Sequence, residues 1–490
     1  MYDLVVIGGG PAGVSAALRA RELGATVALV ERDRLGGVCT NDGCVPTRAL
    51  AHAARLRRDG QQFAGHGLIG AAPELDFGAL MGRVRSVVDE VHQKKQLARH
   101  LARSGATIHE GSGRFLGPNL LAVSDERLEA SRFVIACGGH ARRLSFPGQE
   151  LAITHSDIWS LETLPASMTV VGAAATGCQL ASIFQTLGVQ VTLLDLAPRI
   201  LPAEDAAVSS VLAEALEQRG VDLRLGIAGI ERMERIEPQH GANGDAADSA
   251  TLRLHYRLGE QLVSTDSQVV VLAVGWPGNI DDLGLEAAGV RTERGYVAVD
   301  DALRTSAPHV FAAGDITGRM MLVQSATYEA RIAAENAVAS GDLRASHGIV
   351  PHGGFTDPEY AGVGLTEAQA SERHDCAVAT VPYADLDRAV IDGRTEGFCK
   401  LIVARKGRRI LGAHVVGEQA TEVVQLVATA MASGARIEAL AQLELAYPTF
   451  TAIVGLAARQ LVRELGVVSL APAWRALLDP RAAEWERSGE

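Results

Sequence analysis

Two cysteines with four residues between them carry the clearest chemical signal in this sequence. Cys39 and Cys44 lie in a glycine-containing stretch, residues 36–44, that closely follows a nucleotide-binding start near the N-terminus. Two thiols at this spacing can form a disulfide and exchange electrons through the thiolate. A cysteine pair on a loop after a dinucleotide fold indicates a disulfide that takes electrons from a flavin.

Two other interpretations of the pair are a metal site and two unrelated core thiols. A metal site would need further Cys or His ligands close by, and His52 is the candidate in the sequence. The spacing favours the redox disulfide. The remaining cysteines lack such spacing and are expected to be ordinary buried thiols: Cys137, Cys178, Cys376 and Cys399.

A glycine fingerprint occurs twice, each time between a predicted strand and a predicted helix. The glycines let a pyrophosphate approach the backbone at a helix N-terminus, and the acid at the end of the next strand accepts hydrogen bonds from a ribose. In both copies the acid lies 18 positions beyond the last glycine, and this matched spacing predicts two dinucleotide-binding folds. The first copy is Gly8, Gly10, Gly13 and Glu31, and the second is Gly172, Ala174, Gly177 and Asp195.

Three further segments fit between these copies. Residues 133–139, which include Gly138, and residues 270–275 are buried-strand runs that each close one nucleotide-binding fold. Residues 310–316 predict a short strand that ends in Gly314 and Asp315 and brings a carboxylate to a chain of hydroxyls. Taken alone, the last segment fits an Asp N-cap equally well; beside the other motifs the ligand interpretation is preferred.

The chain resembles the flavoprotein disulfide reductases, a family that includes dihydrolipoyl dehydrogenase, glutathione reductase and mercuric reductase. The resemblance runs from residue 2 to about 465, and residues 355–359 and 363–368 are similar to the opening of that family's dimerisation domain. It implies FAD at the first fingerprint and at Gly314-Asp315, NAD(P)H at the second fingerprint, and a homodimer whose active site is completed by both subunits.

The expected fold is α/β, with two Rossmann-like dinucleotide-binding domains and a C-terminal α+β dimerisation domain. At 490 residues the chain is too long for one hydrophobic core. The predicted boundaries are 1–150 with 278–348 for FAD, 151–277 for NAD(H), 349–467 for dimerisation and 468–490 for a surface tail. Residues 51–105 are predicted to be helical, and 238–249 to form a hairpin tip.

The resemblance also implies roles for the site residues. Cys44 would face the flavin as the charge-transfer thiolate, and Cys39 would be the interchange thiol that meets the substrate. Gly37 and Gly138 would lie at the cofactor. Arg48 stands where the family usually has a Lys near the flavin.

Several positions depart from the family. Gln179 stands where the family has the Glu that pairs with that Lys, so the sequence predicts a cation without its anion, unless Asp42 supplies the charge. Trp276 replaces the usual Arg of a Gly-Arg-x-Pro stretch. Tyr447 and Ala452 stand where disulfide-substrate members have their His–Glu pair. A phenol titrating near pH ~10 is a poor proton shuttle at neutrality, and such help is worth roughly 10²–10⁴ in rate.

These departures disfavour small disulfides as substrates and leave the electron acceptor open. We expect a metal ion such as Hg(II) or Cu(II), a quinone or a partner protein's thiol centre. Mercuric reductases also have a Tyr in this region, but their C-terminal cysteine pair is not present here. A dihydrolipoyl dehydrogenase or glutathione-type reductase with an atypical base remains an alternative, as does a non-catalytic flavin redox sensor. Asp195 would repel a 2′-phosphate, so NADH is preferred to NADPH.

Composition restricts the function class. The formal net charge of -12 and the absence of any Lys/Arg block argue against nucleic-acid binding. No apolar run approaches the ~18–20 residues of a membrane span, and no targeting segment is expected before the first strand. Six cysteines in so long a chain do not make a secreted disulfide scaffold, so we expect a cytoplasmic location.

Overall fold

The computed structural model of the chain describes residues 1–70, 73–236, 251–468, 470–476, 484–485 and 487. The predicted hairpin tip at 238–249 lies outside these residues. The structure is mixed α/β, as expected from the sequence. Among the described residues, no helix combines the length and apolar character needed to cross a membrane.

The first sheet contains the first fingerprint. Its strands run in the order β3-β2-β1-β6-β5-β4, with β17 paired to β6. Residues 4–7 of β1 are buried on both faces, as expected of a parallel strand between helices. The strands are β1 (Tyr2–Ile7), β2 (Val27–Glu31), β3 (Thr107–Glu110), β4 (Gly113–Gly117), β5 (Leu120–Val123), β6 (Glu126–Ile135) and β17 (Val310–Ala312).

The second sheet repeats this arrangement around the second fingerprint. Its order is β10-β9-β8-β14-β7, and a separate antiparallel sheet has the order β11-β12-β13. The two runs predicted to close the folds occupy matching positions, because β6 pairs in parallel with β1 and β14 pairs in parallel with β8. The strands are β7 (Ile153–Thr154), β8 (Ser167–Val171), β9 (Gln190–Asp195), β10 (Asp222–Leu225), β11 (Ile227–Ile236), β12 (Thr251–Leu258), β13 (Gln261–Ser267) and β14 (Val269–Leu272).

The C-terminal sheet has the order β18-β19-β22-β21-β20. The apolar runs at 398–403 and 410–416 predict adjacent strands around the turn at Lys406-Gly407, and the antiparallel pairing of β21 and β22 confirms this prediction. Its strands are β18 (His352–Gly354), β19 (Tyr360–Gly364), β20 (Cys376–Pro382), β21 (Phe398–Ala404) and β22 (Ile410–Val416); a small ribbon outside this sheet pairs β15 (Thr292–Glu293) with β16 (Tyr296–Val297).

The helices follow the apolar periodicity of the sequence. The helical prediction for 51–105 is confirmed over most of its length by α3, α4 and α5. The apolar segments near 419–434 and 449–465 predict two further long helices, and these are α11 and α13. The helices are α1 (Pro11–Glu22), α2 (Gly37–Asn41), α3 (Cys44–Gln61), α4 (Phe77–Lys95), α5 (Leu97–Ser104), α6 (Ala175–Thr186), α7 (Ala206–Gln218), α8 (Val323–Ala339), α9 (Glu367–Arg373), α10 (Asp387–Ile391), α11 (Ala420–Ala432), α12 (Ile437–Gln442), α13 (Ala452–Glu464) and α14 (Pro472–Ala476).

The described part of the C-terminal tail is bound to the rest of the chain. Glu484 accepts a hydrogen bond from Arg459 at 2.9 Å, and Arg487 donates to Asp385 at 2.8 Å. Glu484 and Arg487 are both buried. Ion pairs therefore attach Glu484 and Arg487, two residues of the predicted surface tail, to the rest of the chain.

Candidate active site

The two cysteines of the pair lie together at the junction of two consecutive helices. Cys39 lies within α2, and Cys44 is the first residue of α3. Both are free thiols, with Cys39 half-buried and Cys44 exposed. The hydrogen bond between them lowers the pKa of Cys44 to about 7, whereas that bond and then burial raise the pKa of Cys39. Cys44 is therefore the thiol held as a thiolate near neutral pH.

The first fingerprint leaves the N-terminus of α1 open to a ligand. Within the described part of the chain, no side chain caps this helix at Gly10. Gly37, at the start of α2, faces Gly10 so closely that a Cβ on Gly37 would lie 2.8 Å from the Gly10 Cα. Two bare backbones and a free helix N-terminus form the cradle that a pyrophosphate needs. The residues present therefore fit the phosphates of FAD.

The two acidic residues occupy equivalent places in the two nucleotide-binding folds. Glu31 accepts a hydrogen bond from the N–H of Gly9 at 2.6 Å. Asp195 accepts one from the N–H of Ala173, and a second from the N–H of Ala197 at 2.6 Å. Each carboxylate thus lies against its glycine turn at the end of a strand, where the ribose of a dinucleotide binds.

The Gly314-Asp315 segment reaches the same place. A Cβ on Gly314 would lie 3.2 Å from the Cβ of Ala12, in the first turn of α1. Burial raises the pKa of Asp315, and the charge of Asp315 in turn raises the pKa of both Cys39 and Cys44. The first fingerprint, the cysteine pair and this carboxylate therefore converge on one region.

Trp276 takes part in this region through its indole. Its Nε1 donates to a carboxylate oxygen of Asp315 at 3.0 Å, and its ring centroid lies 5.2 Å from that of His155. Gly138, just beyond β6, has φ +67, and a Cβ there would meet no described atom within 4 Å. The backbone at Gly138 thus borders open space.

Arg48 has an anionic partner that the sequence comparison missed. Its Nη1 donates to Oε1 of Glu359 at 2.5 Å, and the Glu359 side chain is only 1% exposed. Arg55 and Thr421 bind the same carboxylate at 2.7 Å and 3.2 Å. Although burial opposes it, the charge of Arg48 keeps the pKa of Glu359 below its usual value. The expectation of a cation without its anion is wrong, because the anion comes from the loop between β18 and β19 rather than from α6.

Gln179 makes main-chain contacts instead of an ion pair. Its Oε1 accepts from the N–H of Phe355 at 3.1 Å, and its Nε2 donates to the carbonyl of Ala175 at 2.9 Å. The guanidinium of Arg48 lies 4.6 Å from the centroid of the Phe355 ring. Arg48 and Gln179 are thus both brought to Phe355, where α3, α6 and the C-terminal sheet meet.

Tyr447 lies on the C-terminal part of the fold and is 55% exposed. Its hydroxyl donates to Oδ2 of Asp387 at 2.5 Å, and its ring centroid lies 5.5 Å from that of Trp485. Ala452 begins α13. Ala452 stands where the family has its Glu and supplies no carboxylate. The carboxylate next to Tyr447 is instead that of Asp387, the first residue of α10.

Asp42 joins the cysteine loop to residues 155–160. It accepts hydrogen bonds from the hydroxyl of Ser156 at 2.6 Å and from Nε1 of Trp159 at 2.8 Å. These neutral donors hold the loop in place. The suggestion that Asp42 is the counter-charge of Arg48 is superseded, because Glu359 fills that role.

The other cysteines divide by burial. Cys178 and Cys399 are buried, as expected, whereas Cys137 and Cys376 are half-buried. Desolvation raises the pKa of Cys137, Cys178 and Cys399 to about 12 in each case, so these thiols stay protonated at neutral pH. In the described ranges, no group of three or more His, Cys, Asp or Glu residues could hold a metal ion.

Sequence comparison agrees with this geometry over nearly the whole chain. Residues 2–330 match the family profile described as "Pyridine nucleotide-disulphide oxidoreductase", and residues 350–458 match the dimerisation domain of the same family. The dihydrolipoyl dehydrogenase of Thermus scotoductus is 34% identical over 460 residues, covering 92% of this chain and 95% of that protein. The mercuric reductase of Bacillus cereus is 30% identical over 472 residues, covering 96% and 73%.

A solved structure has the same fold. The HOCl-induced flavoprotein disulfide reductase RclA from Escherichia coli superposes with a TM-score of 0.82 at 27% identity, over 94% of this chain and 99% of that chain. A Cu(II) complex of the same protein superposes with a TM-score of 0.79 over the same shares of both chains.

Proposed function

This chain belongs to the pyridine nucleotide-disulphide oxidoreductase family, and we propose that it passes electrons from NADH through FAD and the Cys39–Cys44 pair to an acceptor. The family is FAD-dependent and takes electrons from NAD(P)H. The observation that carries the proposal is a pair of adjacent thiols next to a backbone cradle that fits the phosphates of FAD. Within this pair the pKa of Cys44 is lowered and the pKa of Cys39 is raised.

The residues of this chain would hold FAD at several points. Gly10 and Gly13 would bind its pyrophosphate at the start of α1, Glu31 its adenosine ribose, and Asp315 the hydroxyls of its ribityl chain. When bound, FAD supplies a two-electron carrier between the nicotinamide and the sulfur atoms. Cys44, whose pKa is about 7, would be the thiolate on the flavin side.

The proposed cycle balances as follows. NADH gives up two electrons and one proton, and with one proton from solvent the Cys39–Cys44 disulfide becomes two thiols. The acceptor then takes two electrons through Cys39, the disulfide forms again and two protons are released. With an acceptor that takes single electrons, such as Cu(II), two acceptor ions are each reduced once in every cycle.

NADH is the proposed donor because Asp195 ends the second strand of the second fold, and the nearby Arg199 is already hydrogen-bonded within the protein. Asp195 would repel a 2′-phosphate. Arg199, four positions on, already donates to the hydroxyl of Ser209 at 2.6 Å and to the carbonyls of Pro202 and Glu204 at 2.7 Å and 3.0 Å. These contacts use three of the five N–H groups of the guanidinium and hold it within the protein, which disfavours its use by a 2′-phosphate.

The acceptor we propose is one that needs no proton shuttle: a metal ion, a quinone or the thiol centre of a partner protein. A phenol ordinarily titrates near pH ~10, and the hydroxyl of Tyr447 is already bound to Asp387, so Tyr447 is a poor acid or base at neutral pH. Relatives named mercuric reductase, and the Cu(II) complex of RclA, favour a metal ion such as Hg(II) or Cu(II) among these.

Relatives named dihydrolipoyl dehydrogenase favour a second candidate function. On that proposal the chain exchanges electrons with a lipoyl-type disulfide, and Tyr447 with Asp387 replaces the usual base. Lipoamide turnover at ordinary enzyme rates would support it over the first proposal.

We also propose a homodimer, which the match to the family's dimerisation domain supports. The division into 1–150 with 278–348, 151–277, 349–467 and 468–490 stays a prediction, as does a cytoplasmic location.

Stopped-flow reduction of the FAD-loaded protein tests the electron route. NADH should reduce wild type rapidly and produce a thiolate-to-flavin charge-transfer band, and Cys44→Ser should lack that band. Cys39→Ser should keep it but fail to reduce Hg(II), Cu(II), quinones or protein disulfides under steady NADH. Survival of the band in Cys44→Ser would reverse the assignment of the two thiols. Tight NADH binding without flavin reduction would support the sensor alternative.

A further inference from the structure

The last turn of α4 binds the cysteine loop from outside the loop's own helices. Lys95, the final residue of α4, donates from Nζ to the hydroxyl of Thr40 at 2.9 Å. Thr40 directly follows Cys39 and is fully buried. His92, one turn earlier, contacts the side-chain oxygen of Asn41 at 2.6 Å. Immediately after Lys95 the chain turns at Gln96, with φ +44, into α5.

The positive charge of Lys95 acts electrostatically on the thiols of both Cys39 and Cys44. It lowers the pKa of Cys39 and of Cys44, whereas the charge of Asp315 raises both. Arg48, four residues after Cys44, is paired with a buried carboxylate and its charge is largely balanced there. Lys95 therefore opposes Asp315 at the thiol pair.

Other titratable and charged groups lie near Lys95. The ion pair of Arg34 with Asp89, whose closest atoms are 2.9 Å apart, acts together with Lys95 on the neighbouring His92. Burial, then the charges of Arg34 and Lys95, lower the pKa of His92, so that histidine is neutral at pH ~7. The Lys95 ammonium is half-buried and has the Thr40 hydroxyl as an acceptor.

We propose that Lys95 is a positioning residue of the redox centre: it fixes the loop through Thr40 and supplies a positive charge beside the Cys39 and Cys44 sulfur atoms. This inference rests on the proposed function. A lysine on α4 would thus take over part of the electrostatic role that the resemblance gives to the cation of α3.

The test compares Lys95→Met with Lys95→Arg and with Lys94→Met in the FAD-loaded protein. Lys94 is the exposed neighbour and provides a matched loss of charge. Two readouts are followed against pH: the charge-transfer absorbance of the two-electron-reduced protein, and the rate of alkylation by iodoacetamide. Lys95→Met should move both titrations upward by about one pH unit, Lys95→Arg should restore them, and Lys94→Met should leave them unchanged.

Thr40→Val separates the charge from the hydrogen bond. It should move the titrations less than Lys95→Met, because the ammonium remains. Unchanged titrations in Lys95→Met, or an equal shift in Lys94→Met, would overturn the inference while leaving the proposed function intact. Absence of the charge-transfer band from wild type itself would instead remove the proposed function.

Discussion

The glycine turns of the two nucleotide-binding folds have the same backbone conformation, but different parts of the chain pack against them. Gly8 and Gly172 have φ of +107 and +104, and a Cβ on Gly13 or on Gly177 would lie 1.7 Å from the carbonyl oxygen of the first glycine. Both helices start from the same extended conformation, with φ and ψ of -74 and -173 in the first fold and -79 and -170 in the second.

The middle position separates the two folds. Gly10 lies against Gly37 of the cysteine loop, where a Cβ on Gly37 would come within 2.8 Å of its Cα. Ala174 caps α6, and α6 is tied through Gln179 to the C-terminal sheet instead. The outer glycines are therefore demanded by the backbone in both folds. In the first fold the close approach demands glycine at Gly37 of the neighbouring loop, whereas a Cβ on Gly10 itself would make an ordinary contact at 3.6 Å. Alanine at 174 is thus compatible with a working second site.

The largest effect should come from the last glycine of each fold. A methyl group at Gly13 or Gly177 must displace a strand-end carbonyl, so each turn should lose its geometry. Gly13→Ala should yield protein without flavin. Gly177→Ala should retain flavin but lose reduction by NADH by at least about a hundredfold, roughly 2.7 kcal/mol. Flavin absorbance and stopped-flow reduction distinguish them; loss of flavin from both would show that the folds are not independent.

The anion that pairs with Arg48 provides the second test, because Glu359 lies outside the first fold, directly before β19. Glu359→Gln leaves Arg48 and Arg55 without their buried carboxylate, and breaking such a pair costs roughly 3 kcal/mol, the lower end of the usual range. A clear fall in melting temperature is expected. Glu22→Gln, which breaks an exposed pair with Arg19, should cost less than about 1 kcal/mol. Equal melting temperatures for the two variants would remove Glu359 from its assigned role.

The acids that end the second strand of each fold should control different cofactors. Asp195→Asn removes the charge that would repel a 2′-phosphate, so the ratio of kcat/KM for NADH over NADPH should fall by about tenfold, or ~1.4 kcal/mol. Glu31→Gln should leave that ratio unchanged and weaken flavin retention instead. Steady-state kinetics with both donors, and flavin release on dilution, measure the two effects. A changed donor ratio in Glu31→Gln would contradict the assignment of the folds.

The smallest effect should come from the middle position. Ala174→Gly should lower the KM for NADH only a few-fold, since the helix already starts in the conformation that alanine allows. Gly10→Ala should fold, because its Cβ would lie 3.6 Å from the Gly37 Cα, an ordinary contact, but should bind flavin more weakly. Titration with NADH and with FAD checks both. If Gly10→Ala were unfolded, the cysteine loop could not accommodate a methyl group at position 10 next to Gly37.

The local motifs can be predicted from the sequence because each depends on residues that are close together along the chain. The two fingerprints, the cysteine pair and the strands β21 and β22 follow from spacing and periodicity within short stretches. Arg48 shows the limit: its position was found by comparison with the family, but its partner Glu359 lies 311 residues away. Glu359 belongs to segment 355–359, which indicated the dimerisation domain. The sequence thus drew attention to this segment, but it did not indicate that Glu359 pairs with Arg48. Lys95 and Asp387 gave no signal at all.

The sequence by itself determined the α/β architecture, the two nucleotide turns and the pairing of thiols with a dinucleotide fold, since each depends on residues adjacent along the chain. Only the tertiary structure decided which charges surround the thiols. Ion pairs and hydrogen bonds such as Arg48–Glu359, Lys95–Thr40 and Tyr447–Asp387 join elements far apart in sequence. Coulombic and hydrogen-bonding energies depend on distance in space, and no local pattern encodes that distance.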